Sequence, residues 1–431
     1  MEIVCVGGGP AALYFAICAK LRKPEYRIRL FERRPEGVTF GWGFGFWDDV
    51  LTSLYANDPV SARQIEAATG LWDGIEVQVG DRPTAYLGGY GLSMGRRRLL
   101  EILVARAREL GVELHFEREV TDLSNDSEFA DADLVVASDG INSGVREADP
   151  QAFGTAVDTG RNYYLWLGTE KLFGPFQYVF EPTEAGWIWL HCYYLDEHRS
   201  TCVVECPPQT WHGLGLGELS PQECLKTLEG IFHRQLDGHR LISQVDEAGT
   251  VTGLHGKQVR NARWYRGNVA LLGDAAHTTH FSVGSGTRLA IGDAVALAEA
   301  VTTHGDDVPA ALRAYDATRR PEIDRVQRQA LHSMRFLERV PQLLDAPDMD
   351  PVQFAYAVSR RLGNRDEKWR YYMHLATQVR LLRTVRHKLT TARRMRRERQ
   401  RAKSEGCAGP GAAWEPTRES AVQGPGREGT R

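Results

Sequence analysis

Two absences narrow the field before any motif is read. No run of the 431 residues stays apolar long enough to cross a bilayer. The apolar stretch near the start, MEIVCVGGGPAALYFAICAKL, is broken by glycines and lacks both the basic leader and the small-residue cleavage site of a secretory signal. A cytoplasmic protein with no membrane association is therefore expected. Cysteine is also scarce. The seven, at positions 5, 18, 192, 202, 206, 224 and 407, are odd in number and scattered. Most sit inside apolar strand or helix patterns, so reduced core thiols are expected rather than a disulfide framework. Metal-ligating pairs are missing as well: Cys202 and Cys206 lie near His191, but STCVVEC reads as a strand and no second pair has zinc-site spacing. No metal is expected.

A strong overall charge is lacking too, since the net charge is −3. The distribution is uneven. Arg380 to Lys403 holds eleven Lys/Arg against one acid, about +10, which leaves about −13 for the remainder. No nucleic-acid-reading motif accompanies this basic run, so it is read as a solvated helix and nucleic acid is not an expected partner. From Ser404 the chain is rich in Gly, Pro and Ala with one aromatic, the composition of a disordered tail. What remains is 42% apolar overall, enough to bury a large core in two or more lobes.

The N-terminus carries the first positive signal. EIVCV is a short apolar strand, GGGPAA follows, LYFAICAKL continues as a helix, and the second strand, RIRLFER, carries Glu32 and Arg33. This is the βαβ pattern that binds dinucleotides. Gly7 permits the tight turn and Gly9 admits a pyrophosphate. Pro10 and Ala11 open the helix whose N–H groups face that anion, and Ala12 allows close helix–strand packing. Glu32 follows Ala12 by twenty residues, where a carboxylate can accept from ribose hydroxyls.

A second stretch chooses the dinucleotide. NVALLGDAAH is a strand ending on a Gly-Asp turn, which puts Asp274 at a strand's carboxyl end, the ligand edge of an α/β sheet. A second polyol can be held there, and FAD has a ribityl chain where NAD has nothing equivalent. VGSGTRLAIGDAVALAEAV then begins a helix at Gly284, Ser285 and Gly286, whose N–H groups suit the anion of a reduced flavin.

With these motifs in place, the sequence resembles the class A flavoprotein aromatic hydroxylases. GGGPAA with Glu32, DLVVASDGINSGVR with Asp139, Gly140, Ser143 and Arg146, and GDAAH with Asp274 stand in that family's order, and GRRRLLEIL matches its Arg-x-x-Leu helix. The resemblance covers roughly residues 1 to 340. It implies that Arg96 reaches the FAD pyrophosphate. GDAAHTTHFSVGSGT, GWGFGF, GRNYYLWLGT, GWIWLHCYYLD, STCVVEC and RWYRGN look like the branch acting on salicylyl-CoA and 2-aminobenzoyl-CoA, whose relatives take carrier-bound aminobenzoates and indolic intermediates of violacein formation. Phe281 stands where general phenol hydroxylases carry Pro, and Arg288 where they often carry Asn.

The implied fold is α/β: a Rossmann-like FAD-binding domain (1–72, 91–160 and 262–340) interleaved with a mixed β-sheet substrate domain (73–90 and 161–261), then C-terminal helices (341–403) and the tail (404–431). Four β-rich runs lie between residues 160 and 206. In the third, Trp187, Trp189, His191 and Tyr193 share one face by period two. Pro321 and Pro341 are read as helix breaks or starts.

The resemblance also implies a reaction. FAD is reduced by NADH or NADPH, dioxygen adds at the flavin C4a, and the hydroperoxide hydroxylates an electron-rich ring. No second glycine fingerprint is present, so NAD(P)H is expected to bind transiently. The expected substrate is a 2-hydroxy- or 2-aminobenzoyl thioester, on CoA or a carrier protein, hydroxylated para to the donor group. An indolic or other free aromatic is the second reading, and a non-catalytic escort protein on the same fold the third. His280 and His277, beside the flavin helix, are the candidates to share the donor group's proton, and Phe281 is expected to pack on the flavin or the aryl ring.

Overall fold

The computed structural model describes residues 1–39, 41–120, 123, 129, 131–244, 253–361, 368–376 and 378–379, with isolated positions 384, 388, 391, 392 and 395 beyond. Along the chain come β1 (Glu2–Val6), α1 (Pro10–Arg22), β2 (Arg27–Glu32), β3 (Ile75–Val79), β4 (Ala85–Tyr86), α2 (Arg96–Glu109), β5 (Glu113–Phe116) and β6 (Leu134–Ala137). Next are β7 (Thr155–Thr169), β8 (Phe176–Thr183), β9 (Gly186–Tyr194), β10 (Ser200–Cys206), α3 (Pro221–Ile231), β11 (Leu241–Ser243), β12 (Leu254–Asn261), β13 (Tyr265–Arg266) and β14 (Val269–Leu271). Helices that follow include α4 (Gly286–His304), α5 (Val308–Leu337) and α6 (Pro351–Arg360).

Continuous apolar runs make the first sheet. Its order is β13-β14-β6-β1-β2-β5, with β14, β6, β1, β2 and β5 parallel and β13 an antiparallel edge. Helices α1 and α4 cover it and share one core with it. Helix α1 is buried from Pro10 to Ala19 on every side, as a helix inside a layered α/β core must be. The alternating strands make a second, mixed sheet in the order β11-β7-β10-β9-β8-β3-β4, with β12 also paired to β7. One of its faces, with Ile188, Leu190, Cys192, Cys202 and Cys206, packs on Trp211 and on Leu228 of α3. The six described cysteines are free and buried.

The other face of that sheet points two ways. At its β3–β8 edge, Val77, Phe180 and Trp189 pack on Phe336, Val340, Phe354 and Val358 from the C-terminal helices. Nearer its centre, it looks onto the first sheet across a cavity. Strand β7 is 15 residues long and runs past residue 160, so it belongs to the second sheet along its whole length.

Pro341 starts a short helix, as expected. Pro321 does not break one: it lies inside the 30-residue α5. An internal proline removes a backbone donor and costs on the order of 3 kcal/mol. Here the helix is pinned on both sides of it. Fully buried Arg319 pairs with Asp293 of α4 at 2.8 Å and with Glu322, while Ile323 and Val326 fill the core behind it. The basic run 380–403 and the tail from Ser404 lie, but for single positions, outside the described residues.

Candidate functional site

The glycine turn is set by contacts that leave no room for a side chain. Gly7 has φ +98°, and a Cβ there would stand 2.4 Å from the Ser138 carbonyl oxygen. Gly8 donates its N–H to Glu32 Oε2 at 2.7 Å, and Arg34 donates to Glu32 Oε1 at 2.9 Å. Glu32 thus ties the turn to the end of β2 while each oxygen keeps a lone pair. Gly9 meets nothing closer than 4.0 Å and caps α1, so the helix start opens into free space.

That space is a cavity of about 870 Å³. Residues at the carboxyl ends of four parallel strands line it: Gly9, Pro10 and Ala11 after β1, Arg33 after β2, Asp139 after β6 and Asp274 after β14. Arg96, at the start of α2, and Gly284, Ser285 and Gly286, at the start of α4, complete this wall. Several of its polar atoms have no partner. Arg96 Nε and Asp139 Oδ1 are buried without a hydrogen bond. Burial pulls the Arg96 guanidinium below its ordinary range, with Asp274 opposing, and burial raises the Asp274 carboxyl, with Arg96 and His277 opposing. The Asp274 side chain is nevertheless accessible, because it faces the cavity while remote from bulk solvent. Unpaired donors and acceptors around a slot at a helix start are what a phosphate-bearing polyol would satisfy.

The structure gathers most of the expected cofactor residues into this wall. Gly7, Ala12 and Glu32 stand behind it and shape the turn. The three motifs also brace one another: Arg146, whose N–H is capped by Ser143 Oγ, donates to the Ile141 and Ala275 carbonyls and so joins the Asp-Gly turn to the GDAA turn.

His277 is not brought to the cavity. The short turn Gly273–Ala275 sends it inward, against Trp264, with Nε2 2.8 Å from buried Asp293 Oδ2. It supports the base of α4 rather than facing a ligand. His280 and Phe281 do line the cavity. His280 Nδ1 accepts from the Ser282 N–H and lies 2.8 Å from Ser282 Oγ, which contacts Ser333 Oγ at 2.7 Å. Burial, with Arg361 adding, lowers His280 to about 3, so it is neutral at physiological pH. The Phe281 ring lies 4.5 Å from Tyr164 and 4.2 Å from His280.

The opposite wall is the second sheet. Tyr164 and Trp166 of β7, Tyr178 of β8, His191 and Tyr193 of β9 and Val203 of β10 point into the cavity. Arg361, just after α6, reaches in from the C-terminal region. It donates to the Tyr178 hydroxyl at 2.7 Å and the Ser282 carbonyl at 2.8 Å. Sequence reasoning missed Arg361, Tyr164 and Tyr178. Period-two alternation in NYYLWLGT and FQYVF carried a signal for the tyrosines, but nothing local distinguishes Arg361. Among the described residues no group of three His, Cys, Asp or Glu side chains is arranged to hold a metal, and no helix is long and apolar enough to cross a membrane.

Comparison with known proteins adds to this geometry. Residues 87–330 match the family described as FAD binding domain. The chain is 36% identical to a salicyloyl-CoA 5-hydroxylase of a Streptomyces species over 83% of its own length and 69% of that protein's. It is 32% identical to 3-hydroxy-4-methyl-anthranilyl-[aryl-carrier protein] 5-monooxygenase of Streptosporangium sibiricum, over 80% and 91% of the two chains. Among solved structures, 2-methyl-3-hydroxypyridine-5-carboxylic acid oxygenase shares the fold, with a TM-score of 0.62 at 20% identity over 84% of this chain and 95% of that one.

Proposed function

The chain belongs to the family of FAD-dependent aromatic monooxygenases, and from that premise we propose that it hydroxylates a 2-hydroxy- or 2-aminobenzoyl thioester, on CoA or a carrier protein, para to the donor group. The observation that carries this reading is a shared cavity, polar on the wall made by the glycine loops and aromatic on the wall made by the second sheet. The relatives named for a salicyloyl-CoA and for an anthranilyl carrier-protein substrate support the thioester.

The start of α1, Arg96, Asp139, Asp274 and the Gly284–Gly286 turn would hold FAD. When bound, FAD supplies reduction by NAD(P)H and activation of dioxygen. The protein's share is to bind, orient and keep water away. Tyr164, Phe281, Tyr178 and Tyr193 form an aromatic chamber for the ring, and preorganised aromatic walls hold a flat substrate at little entropic cost. Neutral His280 offers a hydrogen-bonding edge without introducing a cation. Lys257 and Arg360 also line the cavity and suit the anionic end of a CoA or phosphopantetheine substrate.

The test compares salicylate and 2-aminobenzoate with their CoA thioesters as stimulators of NAD(P)H oxidation and product formation by the FAD-loaded protein. Turnover of a thioester, with the free acid at least about tenfold poorer in kcat/KM, is expected. Turnover of the free acid alone overturns the thioester assignment.

A further inference from the structure

We propose that His191, backed by Glu205, is the group that takes the proton from a ring hydroxyl of the substrate. This rests on the reading above that a hydroxylated ring occupies the chamber. His191 lines the cavity and is itself 3% exposed. Its Nε2 is buried without a hydrogen bond and lies 4.0 Å from Glu205 Oε2. Glu205 is 1% exposed and faces the same side of the second sheet, one cross-strand position along. Its carboxylate is held in place by Asn162 Nδ2 at 2.8 Å on Oε1 and Trp189 Nε1 at 3.1 Å on Oε2. The arrangement is an imidazole with a carboxylate behind one nitrogen and a cavity in front, the geometry by which a base is oriented and its cation then stabilised.

The charges around the pair act on it in both directions. Facing it are Tyr164 from β7, Tyr178 from β8, His280 from the turn before α4, Arg361 after α6 and Glu338 after α5. Burial first, then Arg361 and His280, hold His191 well below its ordinary range, so it enters the reaction neutral; the same groups oppose its cation, and Glu205 is the carboxylate that stands against them. Burial pushes the Glu205 carboxyl up to about 7, while Asn162, Trp189 and Arg361 favour its ionised form. Tyr164 is pushed up to about 12 and stays a neutral donor. In the step itself the O–H bond of the substrate breaks and an N–H bond forms on the imidazole. The imidazolium so formed stands beside Glu205, whose ionised form Asn162, Trp189 and Arg361 favour, and the electron pair stays on the ring oxygen, where it enriches the carbon para to it. His280 lacks this support: its Nδ1 accepts from the Ser282 N–H, and no carboxylate is among the groups that act on it.

The test reads ionisation directly and needs no turnover. The probes are the N-acetylcysteamine thioester of 2-hydroxy-5-nitrobenzoate and 4-nitrophenol, each titrated with the FAD-loaded protein while phenolate absorbance is followed against pH. In His191→Gln the ratio of bound phenolate to bound phenol falls at least about tenfold from wild type, the effect of losing an ionic partner a few ångströms away. Glu205→Gln lowers it as well, and retained flavin absorbance and far-ultraviolet circular dichroism verify that each variant is folded. Wild-type ionisation in folded His191→Gln and Glu205→Gln overturns the proposal. Binding and ionisation of 4-nitrophenol without binding of the thioester supports the proton step and counts only against the thioester assignment. Failure of both probes to bind overturns both.

Discussion

At the scale of single residues, the site divides into groups that shape backbone and groups that await a partner. Gly7 and Gly8 belong to the first kind, since any side chain there meets Ser138 or Glu32. Asp274 belongs to the second: an accessible carboxylate deep in the protein, with Arg96 the strongest charge favouring its ionised form. Asp274→Ala is expected to weaken FAD binding at least about tenfold, the value of one hydrogen bond to a charged group, with the melting temperature of the flavin-free protein nearly unchanged. Flavin fluorescence titration measures the first and a thermal melt the second; unchanged affinity would remove Asp274 from the cofactor wall. Asp274 was legible in the sequence because a strand, a Gly-Asp turn and a helix start are local features with fixed spacing. Glu205 was less so, although a lone acid inside the apolar run STCVVEC was a visible anomaly. Arg361 was not legible, because only tertiary packing carries it back to the flavin side.

At the scale of elements, the parallel sheet and its two covering helices could be read from continuous apolar strands and glycine turns. The second sheet could be read from alternation. The course of α5 could not, because proline's local cost was outweighed by tertiary packing, apolar and ionic together, that no window of sequence displays. Arg319, Asp293, Glu322 and Arg288 form an ion network between α4 and α5, with His277 at one end. Removing one member strands its partners in a medium that cannot solvate them. Arg319→Ala should therefore cost about 3–5 kcal/mol, measured by urea unfolding. Arg319→Met, which also removes the charge, is expected to be no milder, since Asp293 and Glu322 remain. A loss under 1 kcal/mol in both would show that α5 is held by its apolar face alone.

At the scale of the whole molecule, buried titratable groups set the acid tolerance of the fold. His191 and His280 are held neutral, with folded values below the ordinary one near 6.5. As pH falls through 6.5 the unfolded chain takes up protons that the folded chain refuses, so their contribution to stability is present above that pH and is lost on acidification. Glu205 acts oppositely. Its folded value of about 7 exceeds the ordinary 4.5, so the folded chain binds the extra proton between those values and gains stability as pH falls across them. Between about pH 6.5 and 4.5 the Glu205 gain offsets part of the loss from the two histidines, and below that the gain has ended while the histidine loss continues. Thermal melts from pH 7.5 to 4 should show a shallow slope followed by a steeper one. Glu205→Gln should steepen the first segment, and an unaltered slope in that variant would contradict the assignment of a raised carboxyl.

The cavity's two walls come from two different sheets: carboxyl ends of parallel strands on one side, side chains of an antiparallel surface on the other. The proposed cofactor wall and the aromatic wall accordingly come from separate pieces of backbone. Exchanging Val203 for a larger or smaller residue would resize the aromatic side without touching the glycine-turn wall, so ring preference would shift while the proposed cofactor wall stays as it is.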